Sequence, residues 1–188
     1  MRTFKSLSVS LALVLLFSIQ FGLVARAVNS TTRDHLTPQE VDLVKEAQLI
    51  DARVYVFVRA IERRMIVLTD PAQATSKQVQ KESERWGELP KGTQAELLGD
   101  IANILDEAIT NIDDVASKED ANQKLMQKAL RQLGNASSHL RSQLQPLRSK
   151  IEDGPAREAL EQAIDNSNAI LEAAAKLPAE TKSDKKKS

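Results

Sequence analysis

The fold class this chain predicts is all-α: an antiparallel four-helix bundle of long helices with one additional short peripheral helix. Three observations carry that expectation. Among 188 residues, Gly and Pro number only 6 each and aromatics make up 3%, whereas sandwiches and barrels need far more turn residues and aromatics. Apolar residues recur at intervals of three and four through four long windows, the period of a helix with one buried face. Short polar connections carrying helix-start signals separate those windows, and helices joined by a few residues pack most economically side by side.

The chain opens with Arg2 and Lys5 ahead of an apolar run from Leu7 to Val24, then Ala25-Arg26-Ala27 in the small-x-small form that export peptidases cleave. Residues 1–27 are therefore expected to be a signal peptide cut after Ala27. The run is also just long enough to span a bilayer, so an uncleaved anchor is the alternative. Residues 28–36 are polar and are expected to be flexible.

Thr37-Pro38-Gln39-Glu40 provides an N-cap, a proline at the first helical position and a capping-box acid. Apolar positions then follow at Leu43, Ala47, Ile50, Val54, Phe57, Ile61, Met65 and Leu68, up to Asp70-Pro71. The pattern predicts one continuous helix of about 31 residues, roughly 46 Å long. VYVFV and MIVL within it favour strands by propensity, but no turn residue interrupts the helical period. On that helix the seam is Val54, Phe57, Ile61, Met65 and Leu68. Arg59 and Arg63, with Glu62 and Arg64 nearby, are expected on the opposite flank with their heads in water.

Residues 71–89 are mostly polar, with Val79 and Trp86 seven positions apart, and predict a peripheral helix ending near Gly87. Pro90-Lys91-Gly92 turns the chain and Thr93-Gln94-Ala95-Glu96 repeats the capping box. The next helix carries a wide apolar face from Leu97 through Leu98, Ile101, Ile104, Leu105, Ala108 and Ile112 to Val115. Ser117 is the expected cap of a fourth helix bearing Leu125, Ala129, Leu133, Leu140, Leu144, Leu147 and Ile151. Gly134 weakens it, and Pro146 requires a kink or break near Arg141 to Pro146. Asp153-Gly154-Pro155 leads into a last helix with Leu160, Ala163, Ile164, Ile170 and Leu177, ended by Pro178. The bundle domain is thus expected over residues 37–178, followed by a disordered Lys-rich tail, 179–188.

Charge is segregated between two consecutive helices. From Thr93 to Ser117 there are six acids and no base; from Ala121 to Ile151 there are six bases and no acid. As neighbours, such helices would attract along their flanks and disfavour wrong pairings. The same pattern marks partner-binding candidates: Asp100, Glu107 and Asp114 for a cationic partner, and Lys124, Lys128 and Arg131 for an anionic one. The acids lie seven apart, about 10 Å along the axis, too far for a tight calcium site.

Several functions are disfavoured. The absence of Cys removes disulfides, a thiol nucleophile, thiolate metal sites and covalent haem attachment. Without the leader, 23 basic face 26 acidic residues, a net charge of −3, so nucleic-acid binding is not expected. No Glu-x-x-His, Gly-rich phosphate loop, Gly-x-Ser-x-Gly or His-Glu-x-x-His occurs. Non-covalent haem would need Met65 or Met126 opposite His139. Leu36-Thr37-Pro38-Gln39 resembles the Leu-Thr-x-x-Gln element of periplasmic helical stress chaperones with the glutamine one position early. A helix cap accounts for those four residues, and no family is assigned on them.

The sequence therefore predicts an exported, periplasmic or extracellular binding or scaffolding module. It is expected to be non-catalytic, with no cofactor or metal, and to engage a protein partner or itself. Membrane contact is expected only through an uncleaved leader. The alternatives are a ligand- or haem-binding bundle and a chaperone-like holdase.

Overall fold

In the computed structural model, residues 34–119, 122–152 and 154–179 are described. The leader, most of the polar segment after it and the tail from residue 180 lie outside them, and with them the expected cleavage after Ala27 and the expected tail disorder. All regular structure among the described residues is helical: α1 (Pro38–Glu46), α2 (Ile50–Thr69), α3 (Pro71–Ala74), α4 (Lys77–Trp86), α5 (Gln94–Ala116), α6 (Gln123–Leu144) and α7 (Gly154–Ala175), with a 3-10 turn at Gln145–Ser149 between the last two. None of these helices is long and apolar enough to cross a membrane.

The predicted 31-residue helix is broken. Ala47 (φ −75°, ψ 93°) and Leu49 (φ −92°, ψ 143°) adopt extended backbone, and α1 folds back on α2. The reason is tertiary. Glu40 contacts Arg63 at 3.1 Å, whereas 23 residues of straight helix would hold them about 35 Å apart. The fold-back buries Leu43 against Val56 and Trp86 in a small cluster of its own, and the open carbonyl of Ala47 accepts from Arg53 Nε (3.3 Å) and Nη2 (3.2 Å). The break contains no Gly or Pro, which is why the periodicity runs through it unmarked.

The remaining helix ends follow their sequence signals closely. Thr37 and Thr93 both form complete capping boxes, with Glu40 and Glu96 accepting from the threonine N–H groups at 2.9 and 2.7 Å. Ser76 caps α4, and Gly87, at φ 70°, closes it as only glycine does without strain. The cap of α6 is Asn122, not Ser117: Asn122 Oδ1 accepts from Leu125 N–H at 3.2 Å, while the Ser117 hydroxyl turns back to Asp114 O at 2.9 Å. The break required by Pro146 falls at Leu144, where α6 tightens into the 3-10 turn. The expected peripheral helix is two, α3 and α4, divided by Thr75 and Ser76; Val79 and Trp86 are its buried anchors.

The main core lies between α2, α5, α6 and α7. Val54, Phe57, Ile61 and Met65 of the expected α2 seam are buried, as are Leu97, Leu98, Ile101, Ile104, Leu105, Ala108 and Ile112 of α5. The way the helices neighbour one another differs from the expectation. α5 packs mainly on α7 and α2, and α6 on α7 and α2, while the consecutive pair α5 and α6 touch each other more sparingly. Residue contacts give the directions. Arg53 with Asn111 and Arg64 with Asp100 make α2 and α5 antiparallel, and Arg141 with Asn168 and Gly134 with Ala174 make α6 and α7 antiparallel. In contrast, Asp51 meets Lys128 while Glu62 and His139 line one cleft, so α2 and α6 run parallel. Ala102 meets Asn166, and Ile112 lies beside Ile170, so α5 and α7 are parallel too. The parallel pairs arise because consecutive α5 and α6 are not principal neighbours: each lies against α2 and α7 instead.

Gly134 has a positive role. A Cβ there would lie 2.7 Å from the Ala174 Cβ, so the glycine lets α6 and α7 approach closely. Alanine at an exposed helix position would gain about 1 kcal/mol over glycine, but at Gly134 the overpacking cost of about 1–3 kcal/mol opposes and exceeds it. Gly134→Ala is therefore expected to lower the thermal midpoint, and Ala174→Gly in the same chain to restore most of it. A stabilised Gly134→Ala variant would contradict the close approach.

Candidate functional site

Of the three acids predicted to face a partner, Asp100 is 5% exposed, with Oδ2 3.4 Å from Arg64 Nε. Glu107 is half-buried and bonds His35 Nε2 at 2.6 Å. Asp114 is exposed near the end of α5. Among the bases, Lys128 Nζ bonds Asp51 of α2 at 2.7 Å, Arg131 donates to the Pro178 carbonyl, and Lys124 is exposed. The structure thus does not bring the six together. Three of them make contacts with α2 or with the segment before α1, and Arg131 makes one with Pro178, just after α7.

The largest concentration of polar chemistry is a buried cluster that was expected to be a solvated flank. Arg63 and Arg64 are 2% and 1% exposed and Glu40 is fully buried. Arg64 falls seven residues after Phe57 and three after Ile61, so it occupies a seam position; Arg63 stands seven after Val56, on the face covered by α1 and α4. Arg63 donates from Nε to Glu40 Oε1 at 3.1 Å, and from Nη2 to the carbonyls of Trp86 (3.1 Å), Gly87 (3.1 Å) and Glu88 (2.5 Å). It thereby closes the C-terminal end of α4, where carbonyls without helical partners favour a cation. Its guanidinium also lies 5.9 Å from the Trp86 ring centre. Arg64 donates from Nη1 to Glu40 Oε1 (3.1 Å) and Ala60 O (2.7 Å), and from Nη2 to Glu40 Oε2 (3.0 Å) and to the His35 carbonyl.

Glu40 accordingly accepts four hydrogen bonds, three from guanidinium groups and one from Thr37 N–H. Two buried arginines and two buried acids, Glu40 and Asp100, balance in charge. That balance is required, because an isolated ion moved out of water costs several kcal/mol. Burial pulls the Arg63 pKa below its ordinary value, and Glu40 opposes the shift. An arginine starting so far above neutrality stays charged.

His35 extends the cluster to α5. Its hydrogen bond to Glu107 raises its pKa above the ordinary 6.5, against desolvation, with Glu107, Asp34 and Asp100 adding their charge. A raised folded-state value means that the pair stabilises the fold fully below about pH 6.5 and that this contribution is lost as pH rises through the folded pKa.

A second feature is a cleft of about 110 Å³ between α2 and α6, floored by α5. Its deep part is apolar, and Ser137, Glu62, His139 and Gln143 are its polar members. Met65 and His139, considered above as a haem pair, both line it. At this volume the cleft is well below the roughly 300–1,000 Å³ of a drug-sized ligand site, and it does not fit haem. Among the described residues, no three His, Asp or Glu side chains are placed to hold a metal ion together.

Comparison with protein-family models, with curated proteins and with solved structures finds no match to this chain.

Two outcomes are expected. Removing one partner of the buried cluster, as in Glu40→Ala or Arg64→Ala, strands the others and should cost about 3–5 kcal/mol in urea unfolding. Arg59→Ala, at a half-buried residue paired with Glu62 and Glu82, should cost about 1 kcal/mol or less. Equal losses at Arg59 and Arg64 would contradict the burial assignment. For the histidine, the urea midpoint should fall as pH is raised from about 5.5 to about 8.5, and His35→Gln should flatten that slope. An unchanged slope in His35→Gln would remove the pair as its source.

Proposed function

We propose that this chain is an exported four-helix bundle, formed by α2, α5, α6 and α7, that acts as a non-catalytic binding or scaffolding module of the cell envelope. The basic amino-terminal leader with its small-x-small motif supports export, and the ring of contacts among those four helices supports the bundle. The partner is a protein presenting a cationic surface.

The observation that carries this reading is which acids the fold consumes. Asp100 and Glu107 are engaged internally, whereas Asp106, Asp113 and Asp114 are exposed on a helix that contains no basic residue. Acids placed this way gain little for the chain's own stability. Facing solvent, they set the sign of the surface field and speed encounter with an oppositely charged partner.

The test is capture from the native envelope fraction by affinity purification with cross-linking. Asp113→Lys combined with Asp114→Lys should abolish recovery of the cross-linked partner while leaving the thermal midpoint within a few degrees of wild type. Undiminished recovery by the double variant would reject the acidic face of α5 as the binding surface, and a species that cross-links to nothing would reject the module itself.

A further inference from the structure

Three helices bring their ends together at one pole of the bundle. Because α5 and α7 run parallel and α6 runs against α7, the last turns of α5 and α7 lie beside the first half of α6. Between them is a groove of about 130 Å³ walled by Ile109 and Ile112 of α5, Leu130 of α6, and Ile170 and Ala173 of α7. Ile109 and Leu130 are only partly buried, so the packing of the helices leaves this groove uncovered. Asp113 is the charged residue in its lining. It is exposed and has no ion-pair partner among the described residues.

An apolar slot with a carboxylate at its edge complements a lysine, whose four-carbon stem covers hydrocarbon while its ammonium reaches the acid. The end of α5 adds to the attraction, since the carbonyls of a helix C-terminus favour a cation and the last turn of α5 has no basic residue. The chain itself supplies such side chains. Arg131, next to Leu130 in sequence, donates to the Pro178 carbonyl, so the chain leaves α7 close to the groove wall. Residues 180–188, ETKSDKKKS, contain no apolar residue to add to a core and carry four lysines against two acids. Their reach matches. Ala173 lies about 8 Å back along the axis from Pro178 at helical rise, and Lys182, four residues beyond Pro178, spans about 13 Å. Asp106, exposed and seven residues before Asp113 on the same face, is about 10 Å further along α5. Lys185 to Lys187 span that distance from Lys182.

We infer that residues 180–188 fold back over the groove between α5, α6 and α7. The Lys182 stem lies against Ile109, Ile112 and Leu130 with its ammonium on Asp113, and Lys185 to Lys187 follow the acids of α5 toward Asp106. Between separate molecules one exposed lysine–carboxylate pair is worth little. The tether changes this, because a connection of a few residues holds the effective concentration on the order of millimolar. Asp113 also belongs to the acidic face proposed above to meet a cationic partner, so the tail would compete for it, but the docking itself does not rest on that reading.

The chain has no cysteine, so Ser183→Cys carries a single nitroxide beside Lys182 in the otherwise complete protein. Paramagnetic broadening of the amide NMR signals is expected to be strongest at Ile109, Ile112, Asp113 and Leu130. An undocked tail also broadens residues near Pro178, so the decision rests on what removes the effect. Asp113→Asn, at an exposed position that leaves the fold intact, should remove most of the broadening at the groove, and Lys182→Gln should do the same from the other side. Raising the salt to about 1 M, where the screening length is about 3 Å, should act likewise. Groove broadening that survives both substitutions, or broadening confined to the end of α7, would overturn the inference. So would broadening passed from a spin-labelled chain to an unlabelled one in a mixed sample, since the tail would then be seated on a second copy.

Discussion

Everything at the amino-terminal end of this fold depends on one carboxylate. Glu40 caps its own helix by accepting from Thr37 N–H, and in the same place it receives three guanidinium hydrogen bonds from Arg63 and Arg64. Because the acceptor is fixed by the helix start, the arginines can meet it only if α1 lies back along α2. Because Arg63 also holds three carbonyls at the end of α4, the same carboxylate positions that helix. Arg64 then reaches the His35 carbonyl and approaches Asp100, which ties the segment before α1 and the start of α5 to the same point. Buried ion clusters are poor sources of net stability compared with well-packed hydrocarbon, and their strength lies in how costly any incomplete version is. Here that cost falls on every arrangement that moves α1, α4 or α5 out of register with α2.

The helical class, the apolar faces and most helix ends were legible in the sequence because they are decided locally. Threonine caps, the glycine after Trp86 and the proline at 146 act within one turn of themselves, and the three-four spacing records which face is buried. What escaped was decided across long separations. The break at 47–49 has no turn residue to announce it and exists because Glu40 and Arg63 must meet. Arg63 and Arg64 look like a basic flank when only adjacent charges are weighed. Their positions seven residues after Val56 and Phe57 were the available sign that both point inward. Glu40 had its role read correctly and incompletely, since a capping acid retains lone pairs that sequence alone does not assign.

The charge-segregated pair shows the same limit at the level of topology. Six acids between Thr93 and Ser117 and six bases between Ala121 and Ile151 suggested neighbours zipped along their flanks, yet α5 and α6 lie mostly against α2 and α7, and several of these charges find other partners: Asp100 with Arg64, Glu107 with His35, Lys128 with Asp51, and Arg148 with Glu161. Charge sign along a helix is conserved under many arrangements, so it constrains the neighbour only weakly. The candidate residues consequently separate into those with structural duties and those facing outward, a division that burial makes and spacing does not. Ser137 is the converse case, a residue with nothing in its sequence surroundings to distinguish it, whose hydroxyl the fold buries without a hydrogen-bond partner.

The hinge between α1 and α2 has a consequence for how two copies of this chain could meet. Ala47, Gln48 and Leu49 are all acceptable in a helix, so what straightening the hinge forfeits is tertiary: the contacts of α1 with α2 and α4, and those of the preceding segment, where His35 bonds Glu107 and Leu36 is buried in the main core. A second copy offers the identical surface: its own Arg63 and Arg64 and its own Trp86. An element held by tertiary contacts alone, on a short hinge without glycine or proline, is what reciprocal exchange between protomers requires. The same buried carboxylate that closes the monomer would close such a swapped dimer with no change in its bonding.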